Sequence, residues 1–91
     1  MTLQQLEYIL AVDQHRHFTK AAEQCFVTQP TLSAMIQKLE EELDVKIFDR
    51  TRQPIAPTPI GVHILQQAKE ILVQVDNMKQ ICDVMIAMTT S

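Results

Sequence analysis

The sequence predicts a mainly α-helical protein with one small β-hairpin, and three observations point to that class. Glycine occurs once in 91 residues and tryptophan is absent, whereas Ala, Leu, Ile, Gln and Met are plentiful. Residues with helix-capping side chains precede several segments whose apolar residues have helical spacing. A run of about 30 residues after Thr58 has one glycine near its start and no later helix breaker.

The composition indicates one small domain with an appended helix, because 46% apolar residues are enough for one modest core. The N-terminus lacks the basic residues of a secretory signal, and its apolar run Tyr8–Val12 is short. No segment reaches the roughly 18 apolar residues of a membrane span. We therefore expect a cytoplasmic protein without membrane contacts, in which both cysteines are reduced.

The first two helices are predicted from their capping residues. Thr2 and Gln5 have the spacing of a capping box, and an apolar stripe continues this helix to about Gln14. Thr19 is predicted to cap the second helix. One face of the second helix consists of small residues suited to close packing, namely Ala21, Ala22 and Cys25.

A third helix is predicted to begin after Thr28, and Pro30 in its first turn loses no required hydrogen bond. Its buried stripe consists of Leu32, Ile36, Leu39 and Leu43. Two short helices joined by a tight turn, here at about residues 18–37, are typical of a helix-turn-helix. Because that motif places its second helix in the major groove of DNA, the pattern predicts DNA binding.

Two short strands are predicted after the third helix. Val45–Phe48 has strand composition, and Ile55–Pro57 can pair with it across the intervening loop. Pro54 and Pro57 lack amide hydrogens, so the second strand must be short and lie at an edge. These strands form a predicted wing at about residues 45–57, within a winged helix-turn-helix domain at residues 1–58.

A long helix is predicted over residues 59–91, because Thr58 and Pro59 combine an N-cap with proline at the first helical position. Its last three residues, 89–91, have the composition of a frayed end. Residues with coiled-coil spacing form a predicted dimerisation seam: Ile64, Ala68, Ile71, Val75, Met78, Cys82 and Met85, widened by Leu65 and Leu72. A helix of about 30 residues spans roughly 45 Å, so we expect it to pair with its counterpart in a second chain.

The candidate DNA contacts lie at the start of the third helix and in the wing. Small polar groups at a helix N-terminus can approach phosphates, and the amide of Gln29 can pair with adenine N6 and N7. Arg50 and Arg52 are expected to hold phosphates or to enter the minor groove. The predicted contacts are Thr28, Gln29, Pro30, Thr31, Ser33, Lys38, Arg50 and Arg52.

The net charge of −3 is unusual for a nucleic-acid-binding protein and leaves a second hypothesis open. Glu40, Glu41 and Glu42 are expected to form a solvated acidic face, whereas cationic residues are concentrated in the wing. A winged-helix and coiled-coil module that serves protein assembly would also fit the acidic charge and the long apolar seam. An electrophoretic mobility-shift assay would separate the two hypotheses if it compares random DNA with DNA enriched by selection for binding to this protein.

The sequence contains no pattern that predicts an enzyme, a metal site or a cofactor. His15 and His17 have no further ligand at the spacing of a metal site. We find no nucleophile–base pair, no carboxylate pair and no glycine-rich phosphate loop in the sequence.

The stretch FTKAAEQCFVTQPTLSAMIQKLEEELDVKIFDR, residues 18–50, resembles the N-terminal domain of LysR-type transcriptional regulators. The segments LEYILAVDQHRHF and AAEQCFVTQPTLS are most similar to peroxide-responsive regulators of the OxyR type. The resemblance implies double-stranded DNA as partner, a winged helix-turn-helix, and a linker helix that forms a homodimer. It also implies that the full-length protein is a tetramer and that an effector-binding domain, absent from this chain, follows near residue 91.

Three positions depart from the pattern of that family. Ala34 stands where the family often has Arg, which removes a contact to phosphate or base. Asp44 stands where Gly is usual, and Asp tolerates the left-handed conformation expected there. Pro57-Thr58 replaces Leu-Thr before the linker helix, which keeps the cap and shortens the strand.

The two cysteines are not expected to act as redox sensors. In regulators of the OxyR type the redox-active cysteines lie in the effector domain, so Cys25 and Cys82 do not inherit their role. We expect Cys25 to be a small core residue and Cys82 to lie in the seam, both largely buried.

Overall fold

The mainly α-helical prediction is confirmed by the computed structural model, which describes residues 1–90; Ser91 lies outside the described residues. A helix-turn-helix is followed by a two-stranded antiparallel hairpin and one long helix. In chain order the elements are α1 Leu3–His15, α2 Phe18–Gln24, α3 Gln29–Leu43, β1 Phe48–Asp49, β2 Ala56–Pro57 and α4 Pro59–Thr90.

The capping box predicted at the start of α1 is confirmed. The Gln5 amide donates to Thr2 Oγ1 at 3.1 Å, and the Thr2 amide donates to Gln5 Oε1 at 2.9 Å. The side chain of Gln5 also donates from Nε2 to the carbonyl of Met35 at 3.1 Å. One residue therefore caps α1 and ties it to α3.

The predicted cap of α2 is wrong: the helix begins at Phe18, and His17 rather than Thr19 is its N-cap. His17 Nδ1 accepts a hydrogen bond from the amide of Lys20 at 3.3 Å. Phe18 packs against the core from the first position of the helix, which places Thr19 inside it. The boundary is therefore set by the packing of Phe18 rather than by the nearest hydroxyl.

The predicted boundaries of α3 agree with the structure. The amide of Thr31 donates to Thr28 Oγ1 at 3.3 Å, which makes Thr28 the N-cap. Asp44 ends the helix with φ 55°, the left-handed conformation predicted for this position. In the turn before α3, Phe26 also has a positive φ of 58°, and its residue surface is 95% exposed.

The core lies where α1 packs against the other three helices, and residues at the hairpin complete it. Its largest fully buried side chains are Ile9, Val12, Leu32, Ile36, Leu39 and Ile47. The predicted stripe of α3 supplies three of these residues, whereas Leu43 is only partly buried. The same stripe that anchors α3 leaves the opposite side of that helix in solvent.

The strands of the wing pair as predicted but are shorter. Phe48 pairs with Pro57 and Asp49 with Ala56, so residues 45–47 lie outside the ladder. The backbone groups of Ile47 have other partners: its amide donates to Glu40 Oε2 at 2.8 Å, and its carbonyl accepts from the Thr58 amide at 2.9 Å. These bonds replace the ladder bonds that a longer strand would make.

Glu40 contradicts the prediction of a solvated acidic face, because it is only 3% exposed. Its carboxylate accepts the Ile47 amide and lies 3.8 Å from Arg50 Nη2. Glu41 and Glu42 are exposed, as predicted. The buried carboxylate therefore stabilises the chain reversal between α3 and the wing.

The start of α4 packs closely against the segment before the wing. Thr58 caps the helix, since its Oγ1 accepts from the Gly61 amide at 3.0 Å and donates to the Lys46 carbonyl at 2.5 Å. A Cβ atom on Gly61 would lie 2.1 Å from the carbonyl oxygen of Ile47. Only glycine permits this approach without a backbone shift.

The helix α4 is 32 residues long, and only its first turns belong to the domain core. Ala68 is 1% exposed and Ile64 and Val75 are half-buried within their own chain, so these positions of the predicted seam are not fully available to a second chain. Beyond Leu72 most of the helix is exposed, and the molecule extends 56 × 25 × 21 Å. The division into residues 1–58 and 59–91 stays a prediction.

The helix continues through Thr89 and Thr90, two of the three residues predicted to form a frayed end, and the third, Ser91, lies outside the described residues. Thr89 Oγ1 donates to the carbonyl of Ile86 at 3.0 Å. Among the helices of residues 1–90, none is long and apolar enough to cross a membrane.

We expect Glu40→Ala to lower the free energy of unfolding by about 1–3 kcal/mol, because the buried Ile47 amide loses its acceptor. Glu40→Gln retains an acceptor oxygen and should cost less. Urea denaturation at a fixed protein concentration measures both effects. Glu41→Ala, the same change at an exposed neighbour, is the control; equal losses for the two alanine variants would contradict the role of Glu40.

Candidate nucleic-acid interface

The first turns of α3 present polar side chains on the surface opposite the core. Gln29, Pro30 and Thr31 are exposed and Ser33 is half-buried, while Leu32 between them is fully buried. A helix N-terminus carries amide groups and a partial positive charge, which favour an approaching phosphate. The structure therefore brings four of the predicted contact residues together.

The hydroxyl groups of Thr28 and Thr31 have different tasks. Thr28 Oγ1 accepts the Thr31 amide and donates to Thr31 Oγ1 at 2.8 Å, so its hydroxyl is used within the cap. The hydroxyl hydrogen of Thr31 remains to be donated to another acceptor. Thr31 is thus the better candidate of the two for a contact with DNA.

The exposed surface of α3 continues for two further turns. Lys38 is exposed, and it follows Thr31 and Ala34 at intervals of three and four residues on one side of the helix. Gln37 is exposed and follows Gln29 and Ser33 at intervals of four. Sequence reasoning missed Gln37 as a candidate contact, although its spacing from Gln29 was a usable signal.

Arg50 and Arg52 occupy different environments in the wing. Arg50 Nη1 donates to Ser33 Oγ at 3.0 Å, so this guanidinium faces α3. Arg52 is exposed in the loop between the strands. An open groove of about 420 Å³ lies between the wing and the start of α4, and three cationic residues contribute to its lining, namely Lys46, Arg50 and Arg52.

A short turn orders the beginning of the wing loop. Asp49 Oδ1 accepts from the amide of Thr51 at 3.0 Å and from its hydroxyl at 2.5 Å. The hydroxyl bond, the backbone bond and the nearby charge of Arg52 lower the pKa of Asp49 from its ordinary value. The carboxylate is therefore ionised at neutral pH and holds the loop that carries Arg52.

Charge is unevenly distributed over the domain. Exposed acidic side chains at the end of α3 include Glu41, Glu42 and Asp44, whereas the first turn of that helix contains no acidic residue. Cationic side chains line the wing groove, and one of them, Arg50, bonds to Ser33 near the start of that helix. A net charge of −3 thus coexists with a surface suited to an anionic partner.

The two cysteines differ from each other in exposure. Cys25 caps the end of α2 and is half-buried against the core, and burial together with the charge of Glu7 raises the pKa of its thiol. Cys82 is exposed on α4 of the single chain, and its burial in a seam between two chains stays a prediction. It is exposed because α4 extends beyond the core before it reaches residue 82.

Among the residues that the structure describes, no group of three or more His, Cys, Asp or Glu side chains could hold a metal ion. His17 is occupied as the N-cap of α2, accepting the amide of Lys20. The exposed polar surface of α3 and the wing is the candidate site of this molecule.

This architecture defines a class: a winged helix-turn-helix domain with a long C-terminal helix. The model of the family described as "Bacterial regulatory helix-turn-helix protein, lysR family" matches residues 3–62. The chain belongs to this family, as its sequence predicted, and is a helix-turn-helix DNA-binding domain of it. The family consists of regulatory proteins and is not an enzyme family.

Similar proteins include two regulators whose sequences are more than three times as long as this chain. The chain is 42% identical over 80 residues to the DNA-binding transcriptional dual regulator OxyR of Escherichia coli strain K12. It is 42% identical over 78 residues to the HTH-type transcriptional regulator BenM of Acinetobacter baylyi. These matches cover 88% and 86% of this chain but only 26% of each relative.

Solved structures show the same fold. A complex of the BenM DNA-binding domain with benA site 1 DNA has a TM-score of 0.90 at 39% identity, covering 93% of this chain and 96% of that one. A full-length OxyR variant from Pseudomonas aeruginosa has a TM-score of 0.87 at 43% identity, covering 92% of this chain and 28% of that one. These structures support the winged fold with its long final helix.

We expect Cys82 to react with a thiol reagent faster than Cys25, because Cys82 is exposed whereas Cys25 is half-buried with a raised pKa. Mass spectrometry of the native chain during iodoacetamide labelling measures the two rates. Cys25→Ser and Cys82→Ser assign each rate to one thiol. Faster labelling of Cys25 would contradict the structure at the end of α2.

Proposed function

We propose that this chain binds double-stranded DNA in a sequence-dependent manner as the DNA-reading part of a dimeric transcriptional regulator. The observation that carries the proposal is the exposed, acid-free start of α3, which Arg50 joins to a wing whose groove carries three cationic residues. A similar domain, that of BenM, was crystallised with its DNA site. With the start of α3 turned towards DNA, α3 would enter the major groove and the wing would lie over the adjacent backbone.

Gln29 is the proposed base-reading residue. It is exposed in the first turn of α3, and its amide offers a donor and an acceptor that match adenine N6 and N7. Pro30, Thr31 and Ser33 surround it and are proposed to contact phosphates or a thymine methyl group. Lys38, farther along the exposed surface, is proposed to contact the backbone.

Gln29→Ala should weaken binding to the preferred site by roughly 1–3 kcal/mol and relax the preference at one base pair. Binding of the purified chain to a set of single-base variants of an enriched site measures both quantities. Arg52→Ala is the comparison, because it should weaken enriched and random DNA similarly and reduce the salt slope by about one. An unchanged base preference in Gln29→Ala would assign the reading to another residue.

The proposed dimer contact is an exposed row along α4 that we call the linker row. Its residues recur at intervals of three and four and consist of Ile71, Gln74, Met78, Ile81 and Met85. Met78 and Ile81 are 68% and 64% exposed. The linker row shares three residues with the seam predicted from the sequence but is rotated away from the side that packs on α1.

Pairing of linker rows would cover apolar side chains that one chain leaves in water. It would also hold two recognition helices in one assembly, so that they reach half-sites about one helical turn, roughly 10 bp, apart. The buried and half-buried positions Ala68, Ile64 and Val75 then stabilise the domain, and Cys82 flanks the contact. For the full-length protein we propose a tetramer.

The double variant Met78→Lys with Ile81→Lys should be monomeric and should lose most of its affinity for a two-half-site DNA, because it places two charges in the linker row. Analytical ultracentrifugation gives the mass, and circular dichroism verifies that the helix persists. Val73→Lys lies on the other side of α4, is also exposed in the wild type, and should remain dimeric. A wild-type chain that stays monomeric at high concentration with DNA present would overturn the dimer.

We further propose that the whole protein responds to peroxide in the cytoplasm, through a domain outside this chain. The similarity to OxyR supports this proposal. Peroxide should therefore change the DNA binding of the full-length protein and leave the affinity of this chain unchanged. A change in the isolated chain that Cys82→Ser abolishes would instead place a redox switch on α4.

Protein assembly is a second candidate function, favoured by the acidic net charge and the exposed linker row. A module of that kind would dimerise without selecting DNA. An electrophoretic shift with enriched and random duplexes distinguishes the two functions, because only the proposed regulator prefers the enriched sequence.

A further inference from the structure

The guanidinium of Arg50 is held by three side chains at once, two on α3 and one on α2. Nη1 donates to Ser33 Oγ on α3 at 3.0 Å, and Nη2 lies 3.8 Å from the buried Glu40 carboxylate. The guanidinium carbon lies 4.6 Å from the ring centre of Phe18 on α2. Phe18 in turn packs edge-to-face on Phe48 of the wing, with ring centres 6.4 Å apart.

These contacts constrain the guanidinium in complementary ways. The ring of Phe18 favours a guanidinium plane stacked on it, since a cation over an aromatic face is attracted to the ring electrons. The hydrogen bond to Ser33 and the charge of Glu40 then fix how the guanidinium is rotated within that plane. A lysine ammonium has the same charge but neither the planar shape nor the fork of donors.

The direction of the hydrogen bond to Ser33 decides what Ser33 can offer to DNA. A guanidinium has only donors, so Ser33 Oγ must act as the acceptor in this bond. The hydroxyl hydrogen of Ser33 is therefore left to be donated outward. The complementary group on DNA is an acceptor, such as a phosphate oxygen or an acceptor on a base edge.

We propose that Arg50 is a positioning residue that locks the wing to the recognition helix and holds Ser33 as a hydrogen-bond donor towards DNA. This proposal rests on the DNA-binding function proposed above. It departs from the sequence prediction, in which Arg50 itself contacts phosphates or enters the minor groove. Arg52, exposed at the loop, contributes the backbone attraction of the wing.

The role proposed for Arg50 depends on the planar shape of its guanidinium and not on its charge alone. Arg50→Lys keeps the charge and removes the fork, so it should weaken binding to the enriched site roughly tenfold, about as much as Arg50→Ala. Its salt slope should equal that of the wild type, since the number of cations is unchanged. Arg52→Lys, the matched change at the exposed arginine, should weaken binding less than Arg50→Lys does, because attraction to the DNA backbone depends mainly on the charge, which lysine keeps.

The pairing with Ser33 is tested by combining variants. If Arg50 acts through Ser33, Ser33→Ala together with Arg50→Lys should cost little more than the larger of the two single changes. Additive losses would show that the two residues act separately. Wild-type affinity in Arg50→Lys would show that only the charge of Arg50 matters, and would overturn the proposal.

Hydrogen–deuterium exchange of the chain without DNA tests the locking of the wing directly. In Arg50→Lys the amides of residues 48–56 should exchange several-fold faster, whereas the amides of α1 should exchange at the wild-type rate. Unchanged exchange in the wing would overturn the locking role. A wild-type chain that binds no DNA would overturn the proposed function and the role of Ser33. The hydrogen–deuterium exchange rates would still decide whether Arg50 locks the wing, because they are measured without DNA.

Discussion

The arrangement of α3 and the wing depends on the interactions of one buried group, the carboxylate of Glu40. It lies on the recognition helix α3, accepts the backbone amide of Ile47, and is the anionic partner of Arg50. Removing a charge from water is unfavourable, and the hydrogen bond and the neighbouring cation offset that cost. Because the same group contacts the helix, the segment before the wing and the wing itself, it determines how the wing stands relative to α3.

The long helix α4 consists of two parts with different roles, its first turns and its later turns. Its first turns complete the small core, and the close approach at Gly61 places them against the base of the wing. The later turns extend from the domain and expose the linker row, including Met78 and Ile81. Thr58 fixes the junction between the two parts of the domain, because its hydroxyl bonds to the carbonyls of Lys46 and Ile47 just before the wing.

The sequence by itself determined the features that depend on residues close together in the chain. The caps at Thr2, Thr28 and Thr58 were predictable, because a capping hydroxyl and the amide it accepts are three residues apart. The left-handed end of α3 at Asp44 and the shortness of a proline-containing strand follow from local sterics in the same way. These local signals were enough to predict the fold class and the exposed start of α3.

Only the tertiary structure decided the features that depend on which distant residues meet. Phe18 packs on the core and thereby moves the cap of α2 to His17. Glu40 looked like one of three solvated acids, yet chain reversal buries it against Ile47. The heptad spacing of α4 fits two neighbouring rows, and packing on α1 takes the row that contains Ala68 and leaves the linker row exposed. Periodicity predicts that a helix has an apolar side, but the partner that buries it is set by the rest of the chain.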